Sequence, residues 1–196
     1  MKKSLVYAIC ILIMFPLVSL EVDRVELESA GSNDSIVFVN YEGPHDVINS
    51  IEEIKSIGSE LGVIIEPDAT VAQNIGETDR YYVIHAVDPN TSSGLDADIL
   101  VLGENALVDH IDNVRRIIAG YLESAYGYTP ENASTIAVFT TVYNAVYRGQ
   151  QDVFNAKYKS VVTENLIAEK IGLSVDYRDW PGNTQIIIPL ATLDGQ

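Results

Sequence analysis

Apolar residues follow two patterns along this chain, short continuous runs and helical spacing. The short runs are typical of strands. Short apolar runs bounded by polar or turn residues predict strands at residues 36–39, 63–65, 80–87, 98–102 and 185–188. The strands predicted at 80–87 and 98–102 are joined by a polar stretch, residues 88–97. Two neighbouring strands with such a connection predict a hairpin with a long loop.

Helical spacing of apolar residues occurs in five other stretches. Residues 107–126 carry the clearest stripe, and Gly127 is placed to end that helix. Thr129 and Pro130 suit the N-cap and first helical position of the next one. Its β-branched residues leave a strand possible at 135–142. The predicted helices are 44–62 (with Pro44 first and Gly62 as C-cap), 107–126, 130–149, 150–158 and 163–170.

The order of these elements favours an α+β fold. Strict strand–helix alternation fails, because two strands are adjacent and several helices follow one another. The expected architecture is a mixed sheet with several packed helices. It forms a single compact domain over residues 36–196, after a polar spacer at residues 21–35.

The first 20 residues have the pattern of an export signal. Met1, Lys2 and Lys3 form a short positive region, and residues 4–20 are uncharged and mostly apolar. This predicts a secretory signal peptide of bacterial type, with an uncleaved membrane anchor as the alternative. No later stretch approaches the about 20 apolar residues that a membrane span needs, so no multi-span segment is expected. The expected location is periplasmic or envelope-associated.

Composition narrows the possible partners. The 196 residues are 47% hydrophobic and 20% charged, with a formal net charge of −16. Such an acidic chain repels phosphate backbones, which argues against nucleic-acid binding. Cys10 is the single cysteine, so the chain has no internal disulfide and no cysteine-rich zinc site.

Each of the three histidines has an aspartate close by in the sequence. Three imidazoles and a carboxylate could form an open site for a divalent metal. The alternative is structural, with two histidines near helix N-termini and the third within a strand. The candidate metal ligands are His45, His85, His110, Asp88 and Asp109.

The connection from Asp88 to Asp98 offers a second candidate, a calcium loop. Oxygen-bearing side chains recur along it, and calcium takes six to eight oxygen ligands. The loop departs from an EF-hand, because its glycine comes one place late and its twelfth position is Ile99. An ordinary turn between two strands uses the same residue types.

Tyrosines are frequent in the helical half and suggest a third candidate, a binding surface. The chain has 11 tyrosines, whose rings can pack at one end and contact water at the other. They could line a ligand groove or an interface, or they could seal the edge of the core. The predicted binding surface comprises Tyr143, Asn144, Tyr147 and Arg148.

Several segments, taken in order, resemble the amino-terminal region of the spirochaete 83/100-kilodalton antigen family, typified by the Borrelia antigen. They are Phe38–Pro44, Leu95–Leu100, Thr141–Gly149, Trp180–Gly182 and Thr184–Leu190. The resemblance implies an exported, envelope-associated protein with a periplasmic or surface role, and it transfers no catalytic residue. Similar proteins continue into a long charged helical region, so a short family member or a truncated product is expected.

Three functional hypotheses follow. The first is an exported, non-catalytic binding or structural module of the bacterial envelope, whose partner is an envelope protein or another periplasmic component. The second is a metal-dependent periplasmic hydrolase that uses the histidine and aspartate pairs. The third is a calcium-stabilised binding domain. The first requires no cofactor, whereas the other two require a divalent metal.

Overall fold

The computed structural model describes residues 36–44, 50–63, 72–76 and 78–190. The predicted signal, anchor and spacer, as well as His45, lie outside these residues. The helices are α1 (Ile51–Val63), α2 (Ile111–Tyr126), α3 (Pro130–Val146), α4 (Gln151–Lys157) and α5 (Ser160–Thr163), with a 3-10 turn at Tyr177–Asp179. The strands are β1 (Gln73–Ile75), β2 (Tyr81–Ala86), β3 (Asp96–Leu102) and β4 (Thr184–Leu190).

The four strands form one sheet in the order β1-β2-β3-β4. All three ladders are antiparallel, and the predicted hairpin is present, with Tyr81 opposite Leu102 and Ala86 opposite Ala97. The α+β prediction is confirmed. The sheet differs from the mixed one expected, because parallel pairing among the described residues is limited to isolated bridges such as Ile171 with Gln185.

One face of the sheet packs on α2. Successive strand side chains point to opposite faces, so alternate residues of each strand share this side. The apolar stripe predicted for 107–126 meets them, and the helix ends at Gly127 as expected, with φ 67°. The buried residues of this layer include Tyr81, Val83, Leu100, Leu102, Val114, Ile117, Ile118, Leu122, Ile186 and Ile188.

Helix α1 lies unusually close to α2. Ser50 caps it by accepting the Glu53 N–H at 3.0 Å. Gly62 lies inside the helix, so its predicted role as a C-cap is wrong. A Cβ on Gly58 would stand 2.0 Å from the Ile117 carbonyl oxygen, and one on Gly62 would stand 2.8 Å from the Ala125 nitrogen. The absence of side chains at these glycines lets the two backbones approach.

Substituting Gly58 with alanine is expected to lower the free energy of unfolding by about 2–3 kcal/mol, because α1 must move away from α2. Alanine otherwise favours a helix by about 1 kcal/mol, so a stabilising effect would show that the contact is looser than described. Urea unfolding followed by circular dichroism measures the change. Ser56→Ala, at an exposed position of the same helix, is the matched control.

The opposite face of the sheet is covered by the later helices. Phe154 of α4 and Val162 of α5 are fully buried, as are Ile99 and Ile187 on this side of the sheet. Phe154 stacks against Tyr158 with ring centroids 6.0 Å apart. The sheet is thus a central layer between two helical layers. None of the described helices has the length and apolarity that a membrane span requires.

Two predicted elements are wrong, and of the strand predicted at 63–65 the structure describes only Val63, which ends α1. Residues 36–39 form no buried strand, since Val37 is 72% exposed and Val39 makes a single bridge to Asp176. Residues 163–170 are mostly turns instead of a helix. The Gln185 side chain accepts the Ile167 N–H at 2.7 Å, which gives that backbone a partner outside any helix.

The structure also decides between helix and strand at 135–142, and it extends the last strand. Helix α3 is helical through 135–142, so the strand alternative is wrong, and Thr129 caps it as predicted by accepting the Asn132 N–H. The last strand was predicted over 185–188, but β4 extends to Leu190 and includes Pro189, which lies opposite Ala97. Proline is tolerated there because β4 is at the edge of the sheet.

Candidate functional site

A buried carboxylate lies at the centre of a group of polar side chains. Asp98 is fully buried, and three side chains surround it. The Tyr121 hydroxyl donates to its Oδ2 at 2.7 Å, and the Tyr126 hydroxyl donates to the same oxygen at 2.5 Å. His85 Nδ1 lies 2.6 Å from Oδ1. We call these four residues the Asp98 cluster.

The register of the sheet and the end of α2 bring the Asp98 cluster together. His85 and Asp98 are directly opposite each other in the β2–β3 ladder. Asp98 shares a strand face with Leu100 and Leu102, so its carboxylate points toward α2. Tyr121 and Tyr126 come from the last turns of that helix, and their rings meet edge to face at 6.1 Å.

The electrostatics fix which groups donate protons in the cluster. Burial raises the pKa of Tyr121 far above its usual value of 10.0, and the Asp98 charge raises it further. Burial and the same carboxylate also raise the pKa of Tyr126. Both phenols therefore stay protonated and donate to Asp98. A carboxylate with three donors is an internal acceptor that holds β2, β3 and α2 together.

The raised pKa values predict a loss of stability in alkali. Above pH 10 the tyrosines ionise in the unfolded chain while the folded chain keeps their protons, so the unfolded state becomes favoured as the pH rises. For Tyr121 the loss is about 1.4 kcal/mol per pH unit above 10. Tyr126 is 37% exposed and contributes less. Melting temperatures between pH 8 and 11 test this, and the slope should become shallower in Tyr121→Phe.

Two of the predicted metal ligands that the structure describes, His85 and His110, lie far apart. His85 belongs to the Asp98 cluster, near the C-terminal end of α2. His110 is the N-cap at the other end, where its Nδ1 accepts the Asp112 N–H at 3.3 Å. The helical rise places the two rings on the order of 15–20 Å apart, too far to share an ion.

The two candidate aspartates make contacts of their own within the described residues. The carbonyl oxygen of Asp109 accepts the Tyr41 N–H at 2.9 Å. The Thr91 hydroxyl and the Asn90 N–H both donate to the Asp88 carboxylate, and together they lower the pKa of Asp88. Among the described residues there is no group of three or more histidine, cysteine or acidic side chains that could hold a metal.

A lysine ammonium lies at the predicted calcium loop. Lys159 Nζ donates to Asp96 Oδ2 at 2.8 Å and to the Asp88 carbonyl oxygen at 2.6 Å. The Lys159 and Asp96 side chains are only 1% and 5% exposed. Asp98, the last residue of the loop, points instead to α2. Three aspartates that the calcium hypothesis needs therefore have separate partners.

The predicted binding surface requires a correction, because two of its four residues are internal. Asn144 is fully buried and Tyr143 is 3% exposed. The Asn144 side chain accepts the Ile187 N–H at 2.9 Å and donates to the Ile187 carbonyl at 2.9 Å. This amide binds the free edge of β4 in the manner of a neighbouring strand. Asn144 lies on the side of α3 that faces the core. The four-residue spacing between Asn144 and Arg148 does not show which side of the helix faces the core.

The other two residues, Tyr147 and Arg148, are half-buried. Arg148 donates to the carbonyl oxygens of Gly172 at 2.9 Å and Asn183 at 3.1 Å. The Lys157 ammonium lies 6.0 Å from the centroid of the Tyr147 ring and 5.2 Å from that of Tyr143. What remains accessible is a small aromatic and cationic area.

Sequence reasoning missed the two charged residues that matter most inside the fold. Asp98 was considered only as the end of a calcium loop, and Lys159 was not considered. One signal could have identified Asp98. It lies two residues before Leu100 in a strand, so its side chain points to the same core face as the apolar ones. Lys159 follows Tyr158 in a loop, and no periodicity marks it.

Comparisons with known proteins agree with the resemblance seen in the sequence. No curated protein and no solved structure matches the chain. The profile of a family described as Borrelia P83/100 protein matches residues 24–195, which is most of the chain. The chain therefore belongs to the Borrelia P83/100 protein family.

Proposed function

We propose that this chain is an exported, non-catalytic binding or structural module of the bacterial envelope, which acts through contacts with an envelope protein or another periplasmic component. Family membership supports the location, because it points to an antigen-type protein of the spirochaete surface or envelope. The apolar stretch at residues 4–20, preceded by Lys2 and Lys3, is consistent with export.

One observation carries the non-catalytic part of the proposal. Several buried polar side chains that could perform chemistry are engaged in bonds that connect elements of the fold. Asp98 receives three donors, Lys159 neutralises Asp96, and Asn144 binds the β4 edge. General bases and nucleophiles need an open position beside them for a substrate, and these groups are enclosed.

Cell fractionation tests the location. The full chain, expressed in a bacterial host and followed with an antibody, is expected in the periplasmic or membrane fraction and not in the cytoplasm. A variant with Lys2→Glu and Lys3→Glu is the control, because reversing the charge of the positive region should retain the chain in the cytoplasm. Recovery of the unaltered chain in the cytoplasm alone would contradict the proposed location.

Elemental analysis tests the absence of a metal-dependent activity. The purified full chain is expected to hold no stoichiometric zinc, iron or calcium, and chelators should leave its melting temperature unchanged. A tightly held metal that is lost in His85→Gln but kept in His110→Gln would instead support the hydrolase hypothesis. A melting temperature that rises with calcium would support the calcium-stabilised domain.

A further inference from the structure

Lys159 and Asp96 form an ion pair that water hardly reaches. The Lys159 Nζ lies 2.8 Å from Asp96 Oδ2, and the two side chains are only 1% and 5% exposed. Lysine and aspartate are seldom buried this completely. Two charges that leave water lose their hydration, and a neutral product of the same two groups avoids that cost.

The hydrogen bonds around this pair suit an amide better than an ammonium. The Asp88 N–H donates to Asp96 Oδ1 at 2.9 Å, and the Asp88 carbonyl oxygen accepts from Lys159 Nζ at 2.6 Å. An ammonium has three N–H groups, and within the described residues only two of them have an acceptor. An amide that joined the two side chains would have one N–H and one carbonyl oxygen, and the Asp88 backbone offers a partner for each.

The backbone holds the two reacting side chains in place. The Leu95 N–H donates to the Lys157 carbonyl oxygen at 2.9 Å, and the Lys159 N–H donates to the Leu95 carbonyl oxygen at 3.0 Å. Gly94, with φ 89°, permits this approach, since a Cβ there would stand 3.0 Å from the Lys159 nitrogen. Two groups held in contact by a rigid backbone react far faster than the same groups free in solution.

We propose that the Lys159 amine and the Asp96 carboxyl group condense to an isopeptide bond, which links the start of β3 to the segment after α4. The ion pair described above is the state before this reaction. The reaction consumes one ammonium and one carboxylate and yields one amide and one water. Nothing is oxidised or reduced, and no further reactant is needed.

The steps use atoms that are already in contact. The ammonium passes one proton to Asp96 Oδ2 along their hydrogen bond, which gives a neutral amine and a carboxylic acid. Nζ then attacks Cγ, and the negative charge that develops on Oδ1 is stabilised by the Asp88 N–H. A second Nζ proton moves to Oδ2, the Cγ–Oδ2 bond breaks, and water leaves. The new amide N–H remains bonded to the Asp88 carbonyl oxygen.

The bond would act as a covalent cross-link in a chain that cannot form an internal disulfide. Cys10 is the single cysteine. The isopeptide bond closes a loop from residue 96 to residue 159, which contains β3, α2, α3 and α4. Closing such a loop restricts the unfolded chain in the same way as a disulfide does, and it requires no oxidant.

Peptide mapping of the unaltered full chain tests the proposal. The chain is purified after prolonged growth, incubated further, denatured and digested with trypsin, which cleaves after free lysine but not after an acylated one. We expect a branched peptide that joins residues 81–115 to residues 158–170 and is lighter than the two together by one water. Separate peptides 158–159 and 160–170, with no branched peptide, would overturn the proposal.

Two controls show whether the bond belongs to this pair and depends on burial. In Asp96→Ala the branched peptide should be lost, and its persistence would mean that Lys159 reacts with another carboxyl group, contrary to the proposal. Lys55 and Glu123 lie 3.1 Å apart but are 45% and 24% exposed, so this pair should remain unlinked in the same digest. Equal linkage there would contradict the role given to burial. The main measurement uses the unaltered chain, so it does not depend on the folding of a variant or on whether the chain is exported.

Discussion

Replacing Asp98 with alanine is expected to lower the free energy of unfolding by about 3–5 kcal/mol. The substitution leaves the Tyr121 hydroxyl and the His85 ring without their acceptor in the core, and it opens a small cavity. Hydrogen bonds to a charged group contribute about 1.5–3 kcal/mol each. Guanidinium unfolding, monitored by circular dichroism and tyrosine fluorescence, measures the loss.

Two comparisons show whether the loss comes from unpaired donors. Tyr126→Phe removes one donor that is 37% exposed, and it should cost only about 1 kcal/mol. Asp98→Leu combined with His85→Leu, Tyr121→Phe and Tyr126→Phe removes the acceptor and all donors together, and it should recover most of the stability. If Asp98→Ala costs less than about 1 kcal/mol, the cluster is not an internal anchor and its role must be sought elsewhere.

Replacing Lys159 with methionine should have a similar effect, a loss of about 3–5 kcal/mol. Methionine fills much of the same space but removes the ammonium, so the buried Asp96 carboxylate keeps only the Asp88 N–H as a donor. The Asp88 carbonyl would also lose its side-chain donor, while the backbone bonds of Leu95 to residues 157 and 159 remain. Urea unfolding gives the size of the loss, and hydrogen exchange of the β2–β3 connection shows where it occurs.

The double variant Lys159→Met with Asp96→Leu is the informative control for this pair. Removing both charges from a buried site is often neutral or stabilising, whereas removing one leaves the other uncompensated. The double variant should therefore be more stable than Lys159→Met alone. Lys170→Met, at a partly exposed position outside this pair, should change stability by less than about 0.5 kcal/mol. A double variant as unstable as the single one would mean that Lys159 acts through packing of its aliphatic chain.

Much of the fold could be predicted from local pattern. The β2–β3 hairpin, the stripe of α2, the Gly127 stop and the Thr129 cap were all expected, because each depends on residues close together in the chain. The family was also recognisable from short segments in the right order. These features depend on periodicity and on backbone conformations that particular residues favour, which a sequence displays directly.

The errors occurred where distant residues decide the outcome. Glycine is a common C-cap residue, but Gly62 lies inside α1. Its missing side chain lets α1 approach the backbone of Ala125. Residues 163–170 have a helical period, yet the Gln185 side chain binds their backbone in a turn. In each case the partner is 18 or more residues away in the chain. No local propensity encodes such a contact.

The candidate site shows the same division between sequence and tertiary structure. By itself the sequence determined an acidic α+β chain with one cysteine, the family to which it belongs, and the hydrophobic positions that form its core. Only the tertiary structure decided that His85 and His110 lie at opposite ends of α2, that Asp98 accepts from three side chains and that Lys159 neutralises Asp96. A buried charge is stable only beside its partner, and the fold alone determines which residues become neighbours.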